Sequence, residues 1–346
     1  MRGCIILFAI CLTTFASQAQ SKTHLVPIGD SEVKAMQAEP FTMPIVCDRD
    51  RNLYFLTMKD RILGIHKLNS SGQQSAVMVA SALPNLDIDF GNYFSVSLNG
   101  EIYQLAFLRT KADRLVVVWN KDGSFKSAIR LEPGFDSRFW TPAQVAAFSS
   151  GDVLVTGRHR KGKDLFSSPF TGIFSPDGTL RKEVVFSDDE ELRHMSETGD
   201  NRVVPAVGDR FMNYAVDRGL MQTGDDGNIY LMRRLSPAII YAVSPGGEVV
   251  KRFTVDAGDD FLPDSMHIAG NKIAMQFTEP QNFEIKVKVV DLNGHELGTY
   301  EEGKGPDGKR LINSLAFACY SEKPERFLYL YTPKDGYLGL RTAEPR

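Results

Sequence analysis

The sequence predicts an all-β fold, a six-bladed β-propeller of four-stranded antiparallel blades, from three observations. A short polar turn leading into an apolar strand recurs five times, at Asn52–Leu56, Glu101–Leu105, Asp152–Thr156, Asn228–Met232 and Lys272–Gln276. Each is followed by a second turn, closing at Gly72, Gly123, Gly178, Gly247 and Gly294. Between the turns, apolar and polar residues alternate one strand at a time. A repeat of this size, all strand and turn, is the signature of a propeller blade.

The blades follow in order. The first covers about residues 41 to 79, and the second runs from Phe94 to Leu131 with Asn99-Gly100 and Asp122-Gly123 at its turns. Both dipeptides accept the positive φ angles that tight hairpins require. The third blade covers 142 to 186. The fourth is the clearest: Leu220–Thr223, the Asp225–Gly227 turn, Asn228–Met232, Ala238–Val243, Pro245–Gly247 and Glu248–Phe253. The fifth covers 265 to 300. The sixth has only three strands, Leu315–Cys319, Arg326–Tyr331 and Tyr337–Arg341. Its missing outer strand is available in Thr23–Ile28, so the ring is expected to close by pairing the mature N-terminal strand with the last blade, which removes an open sheet edge. Residues 187 to 218 are an insertion too short for another blade. Its first half is acidic, while Val203–Val207 and Phe211–Val216 read as a hairpin or an extended strand. Such a connection serves either as a functional lid or as ornament.

The start of the chain reads as a targeting segment. Arg2, the apolar run Ile5–Leu12 and the small residues Ser17 and Ala19 have the order of a secretory signal, so residues 1–19 are expected to be removed, leaving one domain over 20–346. The apolar run is too short to span a bilayer, and no other stretch approaches that length. The protein is therefore expected to be exported, periplasmic or secreted, without a membrane span, and monomeric. The formal charge of −3 over 346 residues offers no basic block for a nucleic-acid partner. Of four cysteines, Cys4 and Cys11 leave with the signal. Cys47 and Cys319 fall on inner strands of the first and sixth blades, neighbours in a closed ring. A bond needs their Cα atoms within about 7 Å. Two buried thiols fit the pattern as well, and a domain of this size needs no staple, which tilts the reading toward free thiols.

The Asp226–Leu231 run and its echoes at 99–104 and 51–56 resemble the NHL-type six-bladed propellers, among which are exported bacterial proteins of unassigned role. The resemblance covers nearly all of the mature chain, but it consists of turn and strand consensus. It therefore implies the fold and carries no function by itself. Sugar-lactone hydrolases of the gluconolactonase type share this architecture and hold a metal with carboxylate and amide side chains in the central channel. Those ligands do not map one by one onto this chain.

Several motifs fail on inspection. Gly303–Lys309 mimics a phosphate loop, yet Arg310 stands where Ser or Thr must reach magnesium. Asp48, Asp50 and Asn52 begin like a calcium loop, but the required Gly and Glu positions hold Leu53 and Lys59, leaving a polar hairpin turn. The six histidines are scattered without zinc spacing, and no Gly-x-Ser-x-Gly elbow exists.

In a propeller, the loops between blades and the loops between second and third strands share one face. Here that face gathers Asp87 and Asp89; Arg138, Phe139 and Trp140; the basic loop Arg158–Lys163; and Asp264 with His267. Aromatic surface beside Arg and Asp is what a concave site for a polar organic ligand uses. Trp140 and Arg138 are the expected anchors, with Phe139 and Arg158 beside them and Asp87, Asp89, Asp264 and His267 opposite. Three function classes follow. The leading one is a binding or protein-interaction module for a peptide, glycan or partner domain, with no cofactor and no catalysis. The alternative is a lactonase-type hydrolase using channel carboxylates and a divalent metal. The third is a structural module of the cell envelope.

Overall fold

Each repeat builds itself outward from its first turn. In the first, the Asp48 carboxylate accepts hydrogen bonds from the Asn52 backbone N–H (2.9 Å), Asn52 Nδ2 (2.7 Å) and the Tyr54 hydroxyl (2.9 Å). In the fourth, Asp226 takes the same three kinds of donor from Asn228 and Tyr230. A short acid-containing turn is thus locked by the strand it starts, and the oxygen-rich Asp48–Asn52 segment is the hairpin turn its sequence suggested. Burial, reinforced by the adjacent carboxylate, raises the hydroxyl pKa of both tyrosines.

The computed structural model describes residues 23–37, 41–59, 62–79, 83, 88–108, 113–162, 164–199, 206–303, 316–331 and 337–346. The signal-like segment 1–19, Asp87, Val203–Pro205 and the stretch 304–310 of the phosphate-loop mimic lie outside them. Strand β1 is Thr23–Gln37. The first blade is β2 (Phe41–Cys47), β3 (Leu53–Lys59), β4 (Ile62–Leu68) and β5 (Gln74–Val79). The second is β6 (Ile88–Val96), β7 (Ile102–Leu108), β8 (Arg114–Trp119) and β9 (Phe125–Arg130). The third is β10 (Trp140–Ala147), β11 (Val153–His159), β12 (Ser168–Phe174) and β13 (Leu180–Glu183). Then come β14 (Leu220–Thr223), β15 (Ile229–Arg233), β16 (Ala238–Val243) and β17 (Val249–Val255). Each of these groups is a separate four-stranded antiparallel sheet, paired in chain order.

The remaining strands are β18 (Leu262–Ala269), β19 (Lys272–Thr278), β20 (Ile285–Asp291), β21 (Glu296–Glu302), β22 (Ala316–Glu322), β23 (Glu325–Tyr331) and β24 (Tyr337–Pro345). With β1 they form one eight-stranded sheet, ordered β18-β19-β20-β21-β1-β24-β23-β22. The sequence predicted six separate sheets; the hydrogen bonding gives five. The cause is β1. It pairs antiparallel with β24, from Leu25 opposite Pro345 to Gln37 opposite Tyr337, as ring closure required. Its first residues also run parallel to β21, with Thr23 opposite Tyr300 and Leu25 opposite Glu302. An outer edge that would stand open is thereby covered.

The innermost strands lie side by side: β2 beside β6 and β22, β10 beside β6 and β14, and β18 beside β14 and β22. Apolar clusters fill the seams between sheets. Tyr54, Met78, Phe94 and Trp119 pack between the first two blades, and Ile240, Met266 and Met275 between β14–β17 and β18–β21. The seam between first and last strand groups holds Val33, Phe55, Leu330 and Leu338 around a Cys47–Cys319 disulfide whose Cα atoms are 5.5 Å apart. The preference for free thiols is corrected: inner strands of neighbouring sheets bring both side chains to one point.

The insertion is helical where Phe211–Val216 was expected to be extended. Helix α1 is Asp189–Thr198; helix α2, Asp209–Met212, continues into a π-helical turn over Asn213–Asp217. Phe211, Met212, Ala215 and Val216 are all buried, and that i, i+1, i+4, i+5 spacing is one face of a helix. They form a small core with Leu192, Leu235 and Leu262. Where the insertion begins, Asp189 meets fully buried Arg233 at 2.9 Å, and the Tyr241 hydroxyl donates to Asp188 at 2.7 Å. A segment with its own core and these ties is a wall of the molecule.

Candidate functional site

The inner strands are bent where they approach one end of the central channel. Register shifts fall between Thr42 and Val46, Phe90 and Phe94, Pro142 and Gln144, and Pro263 and Ser265. A bulge re-aims the residue it contains, and it is a place where a proline can sit in a strand without breaking the ladder. Pro44, Tyr93 and Asp264 occupy these irregular stretches, and all three line the same cavity. It has a volume of about 410 Å³ and is completed by Arg218, Arg234, Ser265, Gln276 and Phe317. Below it the channel narrows to about 30 Å³ between Ile45, Phe94, Gln144, Met221 and His267. The cavity thus opens on the face that carries the interblade loops and is floored by packed strands.

Its chemistry is cationic and half satisfied. Arg234 donates from Nη2 to Asp264 Oδ1 at 2.6 Å and from Nε to the Pro263 carbonyl at 2.8 Å. Arg218, exposed, rests its guanidinium 4.9 Å from the Tyr214 ring centroid and has no carboxylate partner among the described residues. Behind it, buried Asp217 lies 2.7 Å from Arg158 Nε, an ion pair by distance although the N–H is not aimed at the oxygen. Burial pushes the Asp217 carboxyl up to about 6 against the pull of Arg158. Burial also raises the Tyr93 pKa, with Asp217 adding and Arg218, Arg234 and Arg158 opposing. Gln144 donates from Nε2 to the Val216 carbonyl at 2.7 Å, tying the end of the insertion to β10. Among the described residues, three buried polar atoms on the cavity and channel walls lack partners: Ser265 Oγ, Gln276 Oε1 and Gln144 Oε1. Such atoms carry a desolvation cost until water or a ligand meets them.

Of the residues singled out in the sequence, Asp264 lines the cavity and His267 the channel below it. Arg158 sits just behind, and it is neutralised: its loop pairs with the insertion through Asp217 and Asp209, and Arg160 meets Asp209 at 2.9 Å. Trp140 is a correction. The expected exposed loop indole is the first residue of β10, 0% exposed, in the seam between the second and third blades. Its ring packs 5.6 Å from Phe170 and from Phe174. Arg138 points away and pairs with its neighbour Asp136 at 2.6 Å, while Phe139 is exposed. Asp89 is exposed on β6, and Asp87 lies outside the described residues. The sequence assigns no role to Arg218 or Arg234, and it offers Tyr93 only as one of two aromatics of the Leu86–Tyr93 loop on that face. The available signal was the run of prolines inside inner strands, Pro44, Pro142 and Pro263, which marks where those strands bulge.

His267 is fully buried, and its Nε2–H donates to the Phe317 carbonyl at 3.0 Å. Burial pulls its pKa down to about 4. Between that value and the unfolded value near 6.5, the unfolded chain binds the extra proton, so stability rises with pH. His267 thus contributes stability that is present above pH ~6.5 and lost as the pH falls toward 4, by roughly 3 kcal/mol. His267→Gln should flatten that part of the pH–stability curve in urea melts; an unchanged acid limb would show that His267 does not set it.

Among the described residues, no three of His, Cys, Asp and Glu gather as a metal site would need. Also among them, no helix is long and apolar enough to cross a membrane. No family profile and no curated protein matches the sequence. Solved structures do. A candidate exported protein from Bacteroides fragilis aligns with a TM-score of 0.50 at 11% identity, over 94% of this chain and 95% of that one. A candidate gluconolactonase aligns at TM-score 0.48 and 12% identity over 93% and 95% of the two chains. The β-propeller domain of the Trilobed protease from Pyrococcus furiosus aligns at TM-score 0.47 and 10% identity over 88% and 80%. At 11% identity the first likeness speaks to fold alone, and the other two, with TM-scores below 0.5, carry no argument. The chain is an all-β propeller of four-stranded antiparallel blades.

Proposed function

We propose that this chain is an exported, monomeric six-bladed propeller that works as a binding module, taking a small polar organic ligand in the cavity at the channel mouth. The six-blade count treats the eight-stranded sheet as two blades, β18–β21 and β22–β24 with β1, fused by β1. It is supported by the six inner strands that follow one another around the channel. Export is supported by the signal-like order of Arg2, Ile5–Leu12 and Ala19.

One observation carries the binding reading. A cavity of about 410 Å³ joins apolar wall, two guanidiniums and the buried, unpartnered atoms of Ser265 and Gln276. That is the composition of a small-molecule pocket: apolar area with a few convergent polar groups. The lactonase-type alternative gains no cluster of three His, Cys, Asp or Glu ligands among the described residues. Ligand-observed NMR with a library of small glycans, organic acids and amino acids tests the site. Binders are expected, and Ala316→Trp, at the first residue of β22 on the cavity wall, should abolish their signals while circular dichroism shows the fold intact. Binders that survive Ala316→Trp would move the site elsewhere.

A further inference from the structure

The polar groups of the cavity are not symmetric in what they still need. Arg234 is already committed, one nitrogen to Asp264 and another to the Pro263 carbonyl. Arg218 is not: its guanidinium stacks on Tyr214 and meets no carboxylate among the described residues. Arg158 and Arg160 are matched by Asp217 and Asp209, and Arg234 by Asp264. The mouth therefore keeps one uncompensated positive charge, and that charge sits at its rim on Arg218.

Deeper in, the unmet demand is of the opposite kind. Gln276 is 4% exposed and its Oε1 can only accept a hydrogen bond. Ser265 is 2% exposed, and its hydroxyl can donate or accept. A bare anion such as sulfate would satisfy Arg218 and leave Gln276 Oε1 facing an oxygen that has no hydrogen to give. A neutral sugar would satisfy Gln276 and Ser265 and leave Arg218 unanswered. A molecule with a carboxylate at one end and hydroxyls at the other meets both. The half-buried Tyr93 ring supplies flat apolar surface of the kind that sugar rings stack upon.

We infer that the channel-mouth site takes a hydroxylated carboxylic acid of monosaccharide to disaccharide size, of the uronate class, with its carboxylate on Arg218 and its hydroxyls on Gln276 and Ser265. This rests on the cavity being the binding site, as proposed above. Bidentate pairing of a planar guanidinium with a carboxylate fixes the orientation of the ligand, and the buried acceptor selects a hydroxylated partner over a plain acid.

The test uses the mature chain in calorimetric titrations with D-glucuronate, D-galacturonate and D-mannuronate, against D-glucose, D-galactose and D-mannose and against inorganic sulfate. At least one uronate is expected to bind at least about tenfold more tightly than its neutral counterpart and than sulfate. Arg218→Gln should abolish that tenfold preference, and Gln276→Leu should weaken the uronate about tenfold while leaving the weak sulfate response unchanged. Arg218 is exposed, so its variant is expected to melt as the parent does. Equal binding of neutral sugar and uronate, sulfate binding as tight as uronate, or no uronate binding at all would each overturn the inference. If library binders sensitive to Ala316→Trp persist while the uronates fail, this inference falls and the cavity remains the site. If uronates bind but ignore Ala316→Trp, the cavity reading itself falls.

Discussion

Trp140→Ala is expected to lower stability by about 3–5 kcal/mol, the range for truncating a large aromatic in a packed core. The indole is 0% exposed and shares its cluster with Tyr103, Leu105 and Val118 of the second blade and Val145, Val155 and Phe174 of the third. Truncation therefore opens a hole between two sheets, and sheets cannot close on it without shifting their strands. The backbone carbonyl of the same residue accepts a hydrogen bond from Arg114 Nε across the seam at 3.1 Å, and it survives the substitution only if β10 stays in place. Trp140→Phe separates size from shape. It keeps a ring against Phe170 and Phe174, and it removes an indole N–H that has no partner in the core. Its cost should stay under about 1.5 kcal/mol. Urea unfolding of both variants measures this. A loss below about 1 kcal/mol for Trp140→Ala would mean that the seam does not depend on this ring.

Why Trp140 was misjudged from sequence is instructive about the rest. It follows Phe135, Asp136 and Arg138 in a segment with loop composition, and only the third dimension shows that β10 begins at the tryptophan itself. Local patterns carried the blades well, because each turn acid and its tyrosine lie within a few residues of one another and need nothing from elsewhere. Asp48 with Tyr54 and Asp226 with Tyr230 are legible as pairs for that reason. Closure by β1 was legible too, since a three-stranded last group leaves an edge that some strand must cover. Its second pairing, with β21, was not: parallel register over three residues leaves no periodic trace. The helical turn at 209–217 was missed because Met212 and Val216 fall on positions that serve a strand pattern equally well. The cavity was the least legible feature. Arg218 comes from the end of the insertion, Arg234 from the end of β15, Tyr93 from a bulge in β6 and Gln276 from β19. Residues so far apart in sequence converge only once the ring is closed, and no spacing rule connects them.

That closure sets up the largest effect. Replacing both Cys47 and Cys319 with alanine is expected to cost about 5 kcal/mol, at the top of the usual range for a native disulfide. The bond spans a sequence separation of 272 residues, and the entropy it removes from the unfolded chain grows with the logarithm of that loop. In the folded state little should change. Both positions are buried among apolar neighbours, Val33, Phe55, Leu330 and Leu340 among them, which alanine suits better than serine. The seam also keeps β1 against β24 and the Arg341–Asp30 pair at 2.6 Å. If the bond acts mainly on the unfolded chain, removing it should raise the urea m-value, because the released chain exposes more surface. Adding reductant to the parent protein should reproduce both the loss and the steeper slope. A loss with an unchanged slope would place the effect in native packing instead. Two free thiols on the denatured, unreduced parent would show that the bond does not form at all.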